Sequence, residues 1–432
     1  MHVLAKTSVS RPVAMLACVL FVATVFTDVV IQHVVELPKN IQARQAEVLS
    51  TGAAITPLMP EAYRVVDLLP GWQQVCQVRS PQQAWALLDT RDRIDQFTQS
   101  LSDSSVLWQH VTPYTQAALS GALGGGTKDV CVGRDGVLFY RPDVEYVIGS
   151  PFMDKATQAR RKAAQPEVAT DPAAAIIDFH QQLRRRGITL VVLPVPSKTC
   201  VTPQTLGTVG PHGGHAIHNA SFAEFKARLA ASGVLVLDVS DNLAQFGQSQ
   251  PAFLKTDSHW QIGTMELTAR LLAEFVRGHA SLDNRAMAYR RRQSEVENLG
   301  DLARMLRLPQ DQRYWLPESV TIHPVTGPTS EPWRADASAD VLLLGDSYTN
   351  IYSVDGMGWG ASAGLAEQLS VELQRPVDRI SRNDAGAWAS RAMLCTMMSQ
   401  GRNRLAGKKV VIWQFAIREL SEGDWMLLSM PE

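Results

Sequence analysis

What this chain lacks narrows it first. None of its five cysteines sits in a Cys-x-x-Cys pair, which removes the usual spacing of thiolate zinc sites and dithiol redox centres. Net charge is nearly absent: 41 lysines and arginines face 42 aspartates and glutamates, so no global field would hold a polyanion such as nucleic acid. No internal repeat and no long low-complexity tract breaks the chain. The glycine-rich stretch 121–126 has no lysine and hydroxyl residue of a phosphate-cradling loop, and reads as a connector. With 45% hydrophobic and 19% charged residues the composition is that of a folded globular protein, and 432 residues hold two or three domains.

One long apolar run is present, at the N-terminus. Lys6 and Arg11 precede an apolar stretch over 12–27, broken by Asp28 and resumed over 29–31. The run exceeds the core of a cleaved signal peptide, no small-x-small cleavage pattern follows, and it is apolar on all faces, unlike an amphipathic helix. It predicts an uncleaved signal anchor over 1–36, and basic residues ahead of it with a large domain after it predict that the rest is membrane-anchored and lies outside the cytoplasm. Cys18 falls inside this anchor. Cys76, Cys131, Cys200 and Cys395 fall beyond it, where an oxidising compartment accommodates one or two bridges in any of three pairings, with free buried thiols the alternative for at least two of them. Residues 37–130 mix short helical spacings with loop signals and define no fold.

Over 131–432 the periods become regular. Asp171-Pro172 opens a helix that runs to about Arg186, Gly187 stops it, and the apolar run 188–194 reads as a strand. A helix over 221–231, a stop at Gly233 and a strand over 234–238 repeat the unit. A helix after Trp260, strands over 340–344, 377–380 and 410–415, and a helix over 361–373 continue it, while 154–171 reads as a surface helix or linker. Such alternation predicts an α/β domain: a mostly parallel sheet between helical layers, with functional groups outside the carboxyl ends of its strands.

Two short blocks carry chemistry. Gly345-Asp346-Ser347-Tyr348-Thr349 follows a buried strand and presents a serine on a turn; as a bland alternative, Asp346 or Ser347 is only a helix cap. A serine hydroxyl needs a base, and Lys255-Thr256-Asp257-Ser258-His259-Trp260 supplies an imidazole with a carboxylate two residues before it. In extended backbone Asp257 and His259 share a face, with Ser258 turned away. Asn383, after the strand at 377–380, is a candidate side-chain oxyanion donor beside the Ser347 N–H, or else an Asx turn. Trp260, Tyr348, Trp359, Trp388 and Trp413 are candidates for a carbohydrate-stacking groove, with core packing as the plainer reading of each. His212, His215 and His218 recur every third residue in a glycine-containing segment that reads as a loop rather than a metal site. No cofactor and no resident metal is called for.

The combination of Asp-Ser-His-Trp with a later Gly-Asp-Ser-Tyr-Thr-Asn-Ile-Tyr-Ser resembles the alginate O-acetyltransferases AlgJ and AlgX, and over residues 133 to the C-terminus most resembles the AlgJ branch. Further matching blocks are Gly133-Arg134-Asp135-Gly136-Val137-Leu138-Phe139, Pro194-Val195-Pro196-Ser197-Lys198, Met357-Gly358-Trp359-Gly360, Trp413-Gln414-Phe415 and Arg418-Glu419-Leu420. Val137 departs from the tryptophan usual in the first block, a difference of packing. The resemblance implies an SGNH-hydrolase-like domain over 131–432 with the Asp-x-His block before the serine block, a circularly permuted order. It also implies Ser347, His259 and Asp257 as nucleophile, base and orienter, with Asn383, Tyr348 and Trp260 as further oxyanion or substrate contacts. The implied activity is O-acetylation of an exported polysaccharide, alginate or similar, fed by a membrane-bound O-acyltransferase and working with other periplasmic export proteins. A periplasmic carbohydrate acetyl esterase and a non-catalytic scaffold are the alternatives.

Overall fold

The computed structural model describes residues 106–207, 214–282, 286–384 and 386–431. The N-terminal apolar run, Cys76 and His212 lie outside them, and among the described residues no helix is long and apolar enough to cross a membrane. The chain divides into two units, Met1–Ala118 and Leu119–Glu432. Of the first, the helix Val106–Gln116 is described. The second begins at Leu119, ahead of the boundary expected at 131.

Among the described residues the second unit holds eleven strands: β1 Val130–Val132, β2 Leu138–Tyr140, β3 Thr189–Val195, β4 Leu235–Val236, β5 Arg290–Arg291, β6 Ser294–Asn298, β7 Glu318–Ile322, β8 Val325–Thr326, β9 Val341–Gly345, β10 Asp378–Ser381 and β11 Val410–Ala416. Five of them form one sheet in the order β10-β9-β11-β3-β4, every pair parallel. All seven residues of β11 and all five of β9 are buried, so the sheet is covered on both faces, as continuous rather than alternating apolar strands require. The expected α/β architecture is what the chain adopts.

Local chemistry explains the crossovers. Asp171 Oδ1 accepts from Ala174 N at 3.0 Å and Pro172 occupies the first turn, starting the helix Pro172–Arg184, which buries Ala173, Ile176, Phe179 and Leu183. Gly187, at φ 71°, turns the chain into β3. Helices Phe222–Ala231, Ile262–His279, Leu365–Leu373 and Trp388–Ser399 complete the cover, and 154–171 contributes the exposed helix Lys155–Ala164.

Periodicity did not anticipate the hairpin β1–β2 or the excursion between Ile262–His279 and β9, where β5 pairs with β8 and β6 with β7, all antiparallel. These strands are short and β5 and β6 are largely exposed, so they carry little apolar signal. The excursion also holds a five-residue helix, Asp301–Met305, whose Leu302 and Ala303 pack with Val130, Leu138, Leu306 and Trp315 in a separate small core. Cys131, Cys200 and Cys395 are free thiols, so no bridge joins the described cysteines. Burial pushes the Cys200 thiol up to about 12, leaving it inert at neutral pH.

Behind β11 the aromatics interlock: Trp413 lies 5.5 Å from Phe179 and 5.6 Å from Trp425, and Phe415 lies 5.2 Å from Trp425. Trp425 is 1% exposed and donates its indole N–H to Glu419 O at 2.9 Å. Trp425→Ala is expected to cost about 3–5 kcal/mol of unfolding free energy in chemical denaturation, since it deletes a large buried ring from this aromatic cluster.

Candidate active site

The carboxyl edge of the sheet gathers the groups singled out in the sequence. β9 ends at Gly345, and the chain turns at Asp346 into the short helix Ser347–Asn350. Asp346 holds this turn from several directions: Oδ1 accepts from Tyr348 N at 2.9 Å and Gln414 Nε2 at 2.7 Å, and Oδ2 accepts from Ala416 N at 2.6 Å. Gln414 Oε1 in turn accepts from Asp346 N at 3.1 Å and Thr349 Oγ1 at 2.6 Å. A Cβ at position 345 would stand 2.2 Å from Thr349 Oγ1, so the tight turn requires glycine there. Ser347 is half-buried, and among the described residues its N–H has no acceptor, an open donor at a helix N-terminus.

Asp257 and His259 lie on the loop between the helices Ser240–Phe246 and Ile262–His279. His259 Nδ1 lies 2.7 Å from Asp257 Oδ1, and His259 Nε2 lies 2.8 Å from Ser347 Oγ. Sequence reasoning paired the two through extended backbone; the structure pairs them through a bend. Residues 255–259 are a series of bends closed by a bridge between Phe253 and Trp260, and Asp257 Oδ1 accepts both His259 N, at 3.0 Å, and the ring nitrogen. The side-chain acceptor two residues before a backbone donor is an Asx turn, and it aims the imidazole as it forms.

Polar groups of this loop are tied to distant parts of the chain. Lys255 N and Thr256 N donate to Glu318 at 2.8 and 2.7 Å. Asp257 Oδ2 accepts from Trp359 Nε1 at 2.9 Å and Asp301 N at 3.1 Å. Tyr348 OH donates to Ser258 O at 3.0 Å. Lys198, fully buried just past β3, donates to Leu138 O and Asp257 O, both at 2.6 Å, and burial brings its ammonium down to about 8 against the pull of Asp257 and Asp301. Burial alone would raise the Asp257 carboxyl, but the hydrogen bond and charge of His259, then the Trp359 and Asp301 donors, hold it below the usual carboxylate range. Burial alone would lower the His259 imidazole; the Asp257 bond and charge, with the Asp301 charge, hold it above its ordinary value.

Two expected substrate contacts are corrected. Tyr348 and Trp260 are both 0% exposed. Tyr348 lies behind the imidazole, ring centroids 4.8 Å apart, and Trp260 packs edge-on to Tyr348 at 5.3 Å, so they back the His259 ring rather than face a ligand. Trp359 and Trp413 are buried as well, and of the five aromatics considered for a groove only Trp388 keeps partial exposure. Asn383 stands on the exposed loop after β10, where Ser381 pairs in register with Gly345. Its Oδ1 accepts from Asn350 Nδ2 at 2.7 Å, which leaves Nδ2 on the thioether of Met357 at 3.0 Å, a weak acceptor. The role of Trp359 was missed in the sequence; only its place in the Met-Gly-Trp-Gly block could have signalled it.

Among the described residues one trio could offer a metal three ligands, Asp257, His259 and Asp301, whose atoms lie within 4.8 Å of one another. Hydrogen bonds already use them: both Asp257 oxygens accept donors, and Asp301 accepts from Ser258 N at 2.7 Å and Ser258 Oγ at 2.6 Å. A metal would have to break that network. His215 pairs with Asp241 at 3.3 Å and His218 stacks on Phe222, so these two form no ligand set.

A serine hydroxyl bonded to a carboxylate-backed imidazole, at the carboxyl edge of a parallel sheet, is an arrangement suited to acyl transfer. The family described as "SGNH hydrolase-like domain, acetyltransferase AlgX" matches residues 130–417, and the chain belongs to that family. It is similar to the probable alginate O-acetylase AlgJ of Pseudomonas aeruginosa, 26% identical over 313 residues that cover 70% of this chain and 75% of that protein. The probable alginate O-acetylase AlgJ of Azotobacter vinelandii is 24% identical over 308 residues, covering 66% and 74%. The solved O-acetyltransferase domain of Pseudomonas putida AlgJ superposes with a TM-score of 0.51 at 22% identity, covering 68% of this chain and 92% of that one, a likeness of fold.

Lys198→Met should remove both donors from Leu138 O and Asp257 O while keeping the apolar stem. The expected loss is about 1–3 kcal/mol for each orphaned carbonyl, read as a lowered denaturation midpoint.

Proposed function

We propose that this chain is an O-acetyltransferase that acetylates hydroxyls of an exported polysaccharide, alginate or a similar polymer, through an acetyl-Ser347 intermediate. The observation that carries the mechanism is the unbroken line Asp257–His259–Ser347, with contacts of 2.7 and 2.8 Å. Membership of the acetyltransferase family and the names of its AlgJ relatives support the substrate class.

The chemistry runs in two symmetric halves. Ser347 Oγ attacks the acetyl carbonyl of the donor as His259 Nε2 takes its proton; the carbonyl oxygen becomes an oxyanion, and collapse expels the donor's leaving group, which takes the proton from Nε2. A sugar hydroxyl then gives its proton to Nε2 and attacks the acetyl ester, and Ser347 recovers its proton as the acetylated sugar leaves. Asp257 keeps Nε2 the free acceptor by holding the proton at Nδ1, and stabilises the imidazolium formed in each half. The Ser347 N–H and Asn383 Nδ2 serve as oxyanion donors in this reading. Because Asn350 Nδ2 donates to Asn383 Oδ1, the Asn383 Nδ2 is left with the Met357 thioether, an acceptor weak enough to yield to an oxyanion. The N-terminal apolar run as a membrane anchor, a periplasmic location and a membrane-bound O-acyltransferase as acetyl donor complete the proposal.

The full chain incubated with a chromogenic acetyl ester is expected to carry an acetyl group on Ser347 by mass spectrometry, lost faster when an alginate oligosaccharide is added and appearing on the sugar. Ser347→Ala should lower turnover by roughly 10⁴–10⁶-fold. Free acetate released at a rate no acceptor changes would instead identify an esterase, and turnover independent of Ser347 would overturn the reading.

The pH profile follows from the raised imidazole. His259 must be neutral to accept the serine proton, so kcat/KM falls as pH drops through its value, which Asp257 and Asp301 hold above the ordinary imidazole figure of about 6.5. An acid limb with its midpoint above that figure is expected; one below it would mean that the carboxylates do not govern the base.

A further inference from the structure

We infer that Asp301 is a second carboxylate of the imidazole, a positioning residue that acts on His259 through the Ser258 hydroxyl. This rests on the proposed role of His259 as base.

The excursion between Ile262–His279 and β9 presses Gly300 and Asp301 against the loop that carries Asp257 and His259. A Cβ on Gly300 would stand 2.3 Å from the Thr256 carbonyl carbon and 2.5 Å from Asp257 N, so the two backbones touch without a side chain between them. Gly300 N donates to Thr256 Oγ1 at 3.1 Å, Ala303 N to Thr256 O at 3.1 Å, and Asp301 N to Asp257 Oδ2 at 3.1 Å. These bonds staple the strand-to-loop geometry and would be made whatever side chain stood at 301.

The Asp301 side chain does something separate. One oxygen accepts from Ser258 N at 2.7 Å and the other from Ser258 Oγ at 2.6 Å. With its proton committed to Asp301, the Ser258 hydroxyl turns a lone pair towards His259 Nδ1, 3.3 Å away, while Asp301 Oδ2 itself lies 3.9 Å from that nitrogen. The Nδ1–H therefore points at Asp257 as its main acceptor and at Ser258 as a longer one, both backed by negative charge. No proton travels to Asp301. When Nε2 takes the serine proton, the new positive charge is met by two carboxylates, one direct and one relayed. Asp301 keeps 31% of its side-chain surface exposed, so water screens it and its effect is smaller than that of Asp257.

Other charged groups surround the ring and set the background for this effect. Arg418, past β11 and held by Asp143 at 3.1 Å, opposes protonation of His259, and Lys198 past β3 is bonded to the Asp257 carbonyl. Asp143 from the helix Arg141–Ile148 and Glu318 from β7 add negative charge nearby, and the Tyr348 hydroxyl stays neutral because burial holds its pKa well above the usual phenol range. Asp301 is the group whose charge changes when only the relay is altered.

The test is an NMR titration of the His259 imidazole, by its ring nitrogen signals, in the full chain as wild type, Asp301→Asn and Ser258→Ala. It needs no substrate, so it stands even if the acetyl-transfer reading fails. Asp301→Asn, near-isosteric but uncharged, is expected to lower the imidazole pKa, move the acid limb of kcat/KM to lower pH and reduce its plateau roughly tenfold. Ser258→Ala should lower the imidazole pKa by less. A folded Asp301→Asn whose imidazole titrates where the wild type does overturns the inference, because a staple alone would change stability and leave the titration in place. Should Asp301→Asn fail to fold, the Ser258→Ala titration decides by the same criterion: a downward shift supports the relay and an unchanged one overturns it.

Discussion

A carboxylate and an imidazole buried together at 2.7 Å are the constraint around which this unit is arranged. Burying either charge alone is costly, and a buried pair is tolerated only when every remaining lone pair and proton has a partner. The surroundings of Asp257 and His259 meet that condition from distant parts of the chain: Lys198 from the end of β3, Asp301 and Glu318 from the antiparallel excursion, Tyr348 from the turn after β9, and Trp359 from the loop beyond it. Several motifs that look independent in the sequence are thus parts of one hydrogen-bonded enclosure.

The parallel sheet supplies the other half of the geometry. Its strands all end on one edge, so Ser347 after β9, Asn383 after β10, Arg418 after β11 and Lys198 after β3 are brought close although they are spread over the length of the domain. The serine turn is tied to its neighbour strand rather than left to its own loop: Asp346 takes donors from Gln414 and Ala416 of β11, and Gly345 lets Thr349 fold back on Gln414. Rigidity at that turn matters for chemistry, because a nucleophile displaced by a fraction of an ångström loses the bond to its base. Burial of Tyr348 and Trp260 behind the imidazole serves the same purpose from the other side.

The helix–strand alternation of the sheet domain was legible because buried parallel strands such as β11 and β9 are continuous apolar runs, and because Asp171-Pro172, Gly187 and Gly233 mark helix ends by backbone preference alone. The antiparallel excursion was not, since its strands are short and half-exposed and leave no period to read. At the site, Ser347, His259 and Asp257 were legible because residue type and local spacing state the chemistry. Asp301 and Lys198 were not, because an aspartate after a glycine and a lysine after a serine look like any helix start.

By itself the sequence determined what is local: the helices and buried parallel strands of the central sheet, which side chains are candidates for nucleophile, base and orienter, and that the Asp-x-His block precedes the serine block. Tertiary structure decided what depends on long-range contact: that Trp260 and Trp359 beside the motifs are buried packing, that three cysteines stay unpaired, and that the Asp257–His259 loop is enclosed by hydrogen-bond partners from distant segments of the chain. The physical reason is that backbone preferences and hydrophobic periods act over a few residues, whereas the burial of a charge is settled by whatever the folded chain places around it.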